Sequence, residues 1–143
     1  MTPGILIIED DEYIRETLKL LLENVEYRVI ALANGERLKE LIDEFKPDVI
    51  LLDIILNNED GRTICRGLKS DPETCNIPIV ILSAVPEIYN TINDAGANDV
   101  VAKPFDERTL LNRIERQLSN SAFTRLKNAQ SEVENSQNKA AFE

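Results

Sequence analysis

Four apolar runs, each closed by a charged or hydroxyl side chain, restrict this chain more than any other feature. Ile5-Leu6-Ile7-Ile8 runs into Glu9-Asp10 and Val49-Ile50-Leu51-Leu52 runs into Asp53. Ile79-Val80-Ile81-Leu82 runs into Ser83, and Val100-Val101-Ala102 into Lys103. Unbroken apolar runs of this kind read as strands buried on both faces, hence a parallel sheet covered by helices. In open parallel sheets the ligand crevice lies beyond the carboxyl ends of the strands. Charges placed there cost stability and serve chemistry.

The segments between the runs have helical spacing. Ile14, Leu18, Leu21 and Val25 mark a first helix, and Tyr27 to Leu32 is a second strand. Ala33-Asn34-Gly35 is turn chemistry, after which Leu38, Leu41, Ile42 and Phe45 mark a helix stopped by Pro47. Asn57, Asn58 and Gly61 predict a polar, flexible loop after Asp53. Ile64, Cys65 and Leu68 point inward on a third helix closed by Asp71-Pro72. Ile77 to Ser83 is the fourth strand, followed by a short helix carrying Ile88 and Ile92 and ending at Gly96. Asp99 to Lys103 is the fifth strand, and Leu111, Ile114 and Leu118 mark the last helix. Strand and helix alternate five times with short links, which predicts a doubly wound α/β domain with helices on both faces. Tyr13 and Tyr89 are expected as partial core residues, Cys65 as a core-facing small hydrophobe and Cys75 as a loop thiol.

At 143 residues the chain suffices for one domain. Residues 1–120 form the expected folded body, and residues 121–143 a polar tail or helical extension in which Phe123, Leu126 and Val133 give only a sparse apolar stripe. The net charge of -10 lies wholly in the body, where residues 1–120 hold 23 acids and 13 bases while the tail holds three of each. That balance argues against direct nucleic-acid contact and against an anionic membrane surface. No apolar stretch approaches the roughly 20 residues that span a bilayer. The N-terminus lacks signal-peptide character, the two cysteines lack metal spacing, and there is no histidine. A cytoplasmic location is the expectation.

Three carboxylates, Glu9, Asp10 and Asp53, converging without His or Cys indicate a hard cation such as Mg²⁺. A cation alone would not require Ser83 and Lys103. A hydroxyl and an ammonium aimed at the same carboxylates suggest an arriving anionic group, as in phosphoryl transfer.

These residues in this order resemble the receiver domain of two-component response regulators, single-domain and chemotaxis-receiver-like. The resemblance rests on Ile5 through Glu12, on Asp53 with Gly61 eight residues on, on Ser83-Ala84, and on Gly96-Ala97-Asn98-Asp99 leading to Lys103-Pro104-Phe105. It implies a flavodoxin-like five-stranded parallel sheet in the order 2-1-3-4-5. It implies that Asp53 accepts a phosphoryl group from a histidine kinase or histidine phosphotransfer protein, with Mg²⁺ or Mn²⁺ as cofactor. By the same resemblance Asp10 binds the metal directly, Glu9 largely through water, and the main-chain carbonyl of Ile55 completes the protein ligands. Lys103 pairs with the carboxylate and then with the phosphoryl group, Ser83 swings inward as the switch, and the Ala84 N–H holds a phosphoryl oxygen. A cis Lys103-Pro104 bond is implied as well. Such a domain assists its own phosphorylation and dephosphorylation without being a turnover enzyme. It would act on a downstream protein in phosphorelay signal transduction, and a homodimer is compatible with it. Asp11 is expected as a helix N-terminal charge.

Departures from the family pattern set further expectations. Val100 stands where the family often has a rotating aromatic, so the signal would leave by packing or loop shifts. The stretch from Ser83 to Lys103 is about two residues short, with the deletion placed near Val85-Pro86-Glu87. Asn57 replaces a common Pro. Ile55 and Val85, both apolar, occupy positions that tune hydrolysis, which predicts a long-lived acyl phosphate. An aspartyl-phosphate phosphatase would need an acid at Ile55, and a flavin carrier would not place Asp10-Asp11-Glu12 in its phosphate loop. The remaining alternative is a degenerate receiver acting as a phosphorylation-independent interaction module.

Overall fold

The computed structural model describes residues 2–84 and 95–121. Five parallel strands, β1 (Gly4–Ile8), β2 (Arg28–Leu32), β3 (Val49–Asp53), β4 (Ile79–Ser83) and β5 (Asp99–Ala102), form one sheet in the order β2-β1-β3-β4-β5. Helices α1 (Glu12–Asn24), α2 (Leu38–Phe45) and α3 (Gly61–Ser70) follow the first three strands, and a helix over residues 107–121, here α4, follows β5. The doubly wound fold expected from the alternation is therefore present.

Strand alternation divides the core into two layers. Leu6, Ile8, Ile50, Leu52, Ile79 and Ile81 meet Leu38 and Ile42 of α2 and Cys65 and Leu68 of α3. Ile5, Ile7, Val49, Leu51, Val80 and Leu82 meet Leu18 and Leu22 of α1 and Leu110 and Ile114 of α4. The three central strands are buried along their whole length, which is why their sequences are apolar without alternation.

The register places the strand ends on one rim. Ile8 lies opposite Leu52, so Glu9 stands level with Asp53. Asp53 lies opposite Leu82 and Ser83 opposite Ala102, so Ser83 and then Lys103 each step one residue further out. Glu9, Asp53 and Lys103 continue the alternation of Ile7, Leu51 and Val101, which gives all three the α1/α4 face of the rim.

Several sequence expectations are corrected. Tyr13 is 81% exposed and not part of the core. Val25 caps α1 and is exposed, while Leu22 takes the inward position. Gly61 belongs to no loop: it is the buried first residue of α3. β2 starts at Arg28, after Tyr27; β4 starts at Ile79, after Ile77; and β5 ends at Ala102, one residue before Lys103. Leu110 and Gln117 join the buried face of α4 beside Ile114. Cys65 is buried and Cys75 partly exposed, as expected. The expected helix with Ile88 and Ile92, Tyr89, the Val85-Pro86-Glu87 stretch and the tail beyond residue 121 lie outside the described residues.

Candidate functional site

The rim of the sheet forms a cleft of about 450 Å³ lined by Glu9, Asp10, Asp53, Ile55, Ser83 and Lys103, among others. Glu9 is 1% exposed and Asp53 6%, and Ser83 is equally buried. The Lys103 ammonium donates to both Glu9 carboxylate oxygens at 3.3 Å and lies 3.3 Å from Asp53 Oδ2. The other Asp53 oxygen, Oδ1, accepts the Ile55 N–H at 3.3 Å. Lys103 is itself placed by its N–H, which donates to the Ser83 carbonyl at 2.8 Å, and the bond to Pro104 is cis. Glu9, Asp10 and Asp53 bring carboxylate oxygens within 4.8 Å of one another.

Local sequence explains each placement. Asp11 caps α1 by accepting the Ile14 N–H at 3.0 Å, which starts the helix directly after the acidic pair. Arg15, one turn on, donates to the carbonyls of Glu9 at 3.0 Å and Asp10 at 3.3 Å. Asp60 caps α3 by accepting the Arg62 N–H at 2.9 Å, and its carboxylate also pairs with the Arg62 guanidinium at 2.6 Å. The sequence pattern alone did not single out Arg15; its signal is its position one turn into a helix that begins at the site.

Electrostatically, among the described residues, the Lys103 ammonium faces a cluster of three carboxylates. Burial first, then the hydrogen bond and like charge of Asp53, push the Glu9 carboxyl up to about 8, against the pull of Lys103. Buried this close to a second carboxylate, Glu9 is thus favoured in its protonated form. The donor set fits Mg²⁺: all-oxygen, clustered and partly open, since Asp10 is only half-buried.

The structure brings together Glu9, Asp10, Asp53, Ile55, Ser83, Ala84 and Lys103 around one cleft. Val100 is not among them. It is partly buried against the α2/α3 layer, opposite Ile81 of β4.

Similarity to known proteins places the chain in a family. A family model, the response regulator receiver domain, matches residues 5–115. The chain belongs to that family, in which phosphoryl acceptance is typical. It is 38% identical over 114 residues to the DNA-binding dual master transcriptional regulator RpaA of Synechocystis sp., covering 78% of this chain and 47% of that protein. The chain thus spans about half the length of the curated relatives it matches. A response regulator receiver domain protein (CheY-like) from Methanospirillum hungatei superposes with a TM-score of 0.78 at 26% identity, over 87% of this chain and 99% of that one. The receiver domain of the Pseudomonas aeruginosa sensor histidine kinase PA1611, with magnesium coordinated in its active-site cleft, superposes with a TM-score of 0.75 at 26% identity, over 83% of this chain and 99% of that one. No helix of the described residues is long and apolar enough to cross a membrane.

Proposed function

We propose that Asp53 is the phospho-acceptor of this receiver. The observation that carries the reading is a carboxylate at a strand end with one oxygen 3.3 Å from the Lys103 ammonium and acidic neighbours able to hold a cation. An Asp53 carboxylate oxygen attacks the phosphorus of a phosphohistidine on a histidine kinase or phosphotransfer protein. The P–N bond breaks, its electron pair stays on the imidazole, and an acyl phosphate forms. Asp10, Asp53 and the Ile55 carbonyl would hold Mg²⁺ or Mn²⁺, with Glu9 behind them, and the bound ion supplies positive charge beside the phosphoryl oxygens. Lys103 follows the new charge from the carboxylate to a phosphoryl oxygen, while the Ser83 hydroxyl and the Ala84 N–H donate to others.

The switch would run from Ser83 along β4 to the Ile81–Val100 pair, where a small apolar side chain transmits by repacking. Ile55 is 62% exposed at the mouth and carries no group to orient a water, which supports slow loss of the phosphoryl group. The domain would occupy residues 1–120 and act on a downstream protein, without direct nucleic-acid contact by this domain.

Intact-mass measurement after incubation with Mg²⁺ and a small phosphodonor tests the reading. A single phosphoryl adduct on the wild-type chain and none on Asp53→Asn is expected, with slow decay once the donor is removed. The absence of an adduct on either chain would favour the phosphorylation-independent interaction module.

A further inference from the structure

We infer that Glu59 is a positioning residue that straps the β3–α3 loop to the β2–α2 loop and so sets the Ile55 backbone at the cation site. The inference rests on the reading of that site given above. The strand order seats β1 between β2 and β3, so the loops leaving β2 and β3 flank the end of β1, where Glu9 and Asp10 stand. Glu59 makes a connection between them: the Gly35 N–H donates to its Oε1 at 3.0 Å. A Cβ at Gly35 would lie 3.0 Å from Glu59 Oε2 and 3.2 Å from Ile64 Cδ1, so it would push the Glu59 carboxylate out of its present position.

From Glu59 the constraint reaches the site through two short links. Its carbonyl accepts the Leu56 N–H at 3.3 Å, and the adjacent Asp60 forms an antiparallel bridge with Ile55. Ile55 in turn donates to Asp53 Oδ1, and its carbonyl is the main-chain ligand proposed above. Mg²⁺ demands near-ideal octahedral geometry at roughly 2 Å, so a backbone ligand on an unanchored loop must be ordered at the expense of affinity. A carboxylate accepting an N–H is a strong, charge-assisted anchor for such a loop.

Magnesium titration of the full chain by calorimetry, with Glu59→Leu, Glu59→Gln, Gly35→Ala and the Glu59→Leu/Gly35→Ala double variant, tests the strap. Glu59→Leu and Gly35→Ala should each weaken Mg²⁺ binding about tenfold, the worth of one charge-assisted hydrogen bond. The double variant should be no weaker than either single one. Glu59→Gln, which keeps an acceptor oxygen and removes the charge, should fall between the wild type and Glu59→Leu, since a neutral acceptor keeps about half of the bond's strength. Without metal, amide exchange over residues 54–60 should quicken more in Glu59→Leu than in Glu59→Gln. Equal weakening in Glu59→Gln and Glu59→Leu would overturn the strap in favour of a simple charge effect, and unchanged binding in both would overturn it outright. Where Glu59→Leu fails to fold, Gly35→Ala and Glu59→Gln decide. A wild-type chain that binds Mg²⁺ but takes no phosphoryl group would sink the phospho-acceptor reading and leave the calorimetric and exchange results to judge the strap.

Discussion

Gly61→Ala should lower the melting temperature by about 10 °C, while the same exchange six residues later on the same helix should raise it. A Cβ at Gly61 would come 2.8 Å from the Ile54 Cα and 3.0 Å from the Asp53 carbonyl carbon. Those are main-chain atoms, which cannot rotate aside as a side chain can. The approach is pinned by the Gly61 N–H, which donates to the Ile54 carbonyl at 2.7 Å, and by Asp60 capping α3. Accommodating one methyl therefore means shifting the β3–α3 loop or the start of α3, an overpacking cost on the order of 3 kcal/mol. At about 3–4 °C per kcal/mol for a domain of this size, that gives the expected drop. Because the atoms displaced flank Asp53, Mg²⁺ affinity should fall with it. Gly67 lies exposed in α3, and a methyl added there would meet nothing within 4 Å, so Gly67→Ala gains about 0.5–1 kcal/mol from helix propensity alone. Thermal unfolding followed by circular dichroism reads both. Shifts of the same sign would show that glycine at 61 answers to propensity and not to the close approach.

Gly61 also marks where sequence reasoning stops. The strands were legible because burial on both faces leaves an apolar run that no surface element shares, and the rim charges were legible because each run ends in one. Tyr13 departs from expectation because aromatic character does not override phase: Ile14, Leu18 and Leu22 set the inward stripe of α1, and Tyr13 lies about 100° from Ile14 on the outer side. Val25 misled because periodicity says nothing of where a helix ends, and Val25 is already the cap. Gly61 differs from the expected loop residue because a glycine after Asn57 and Asn58 gives the same local signal whether it serves a turn or a close contact. The Glu59–Gly35 bond spans 24 residues and depends on which loops the strand order makes neighbours, so nothing local announces it. Glu9, Asp53 and Lys103 escaped this limit because β-strand alternation holds to the last residue of a strand, as at Asp53, and one residue beyond it, as at Glu9 and Lys103, which makes the facing of a rim residue a local property.

Freed of divalent cations, the protein should lose stability steadily as the pH rises from about 5 to about 8, and level off above. The Glu9 carboxyl moves from an ordinary value of 4.5 to about 8 on folding, chiefly by burial and then through Asp53. Between those two pH values the folded chain holds a proton that the unfolded chain has released. Its contribution to stability is thus complete below the lower value and gone once the pH passes the upper one. The other shifted acids act elsewhere. Asp60, held low by the Arg62 side chain, and Asp71, held low by the Glu73 N–H, titrate below 3.8, and burial raises the Cys65 thiol above 9.0. Asp53→Asn removes the hydrogen-bond partner and the like charge that help raise Glu9, so it should flatten the slope and stabilise the metal-free protein near pH 8. A cation bound beside Glu9 disfavours this proton, so its binding should release it. Mg²⁺ affinity should therefore rise about tenfold per pH unit between pH 6 and 7.5 in the wild type, and less steeply in Asp53→Asn. Chemical unfolding in chelator across this range, beside Mg²⁺ calorimetry in buffers of different ionisation enthalpy, measures both slopes. A flat metal-free profile together with no proton release on Mg²⁺ binding would show that Lys103, 3.3 Å from each carboxylate, keeps both ionised.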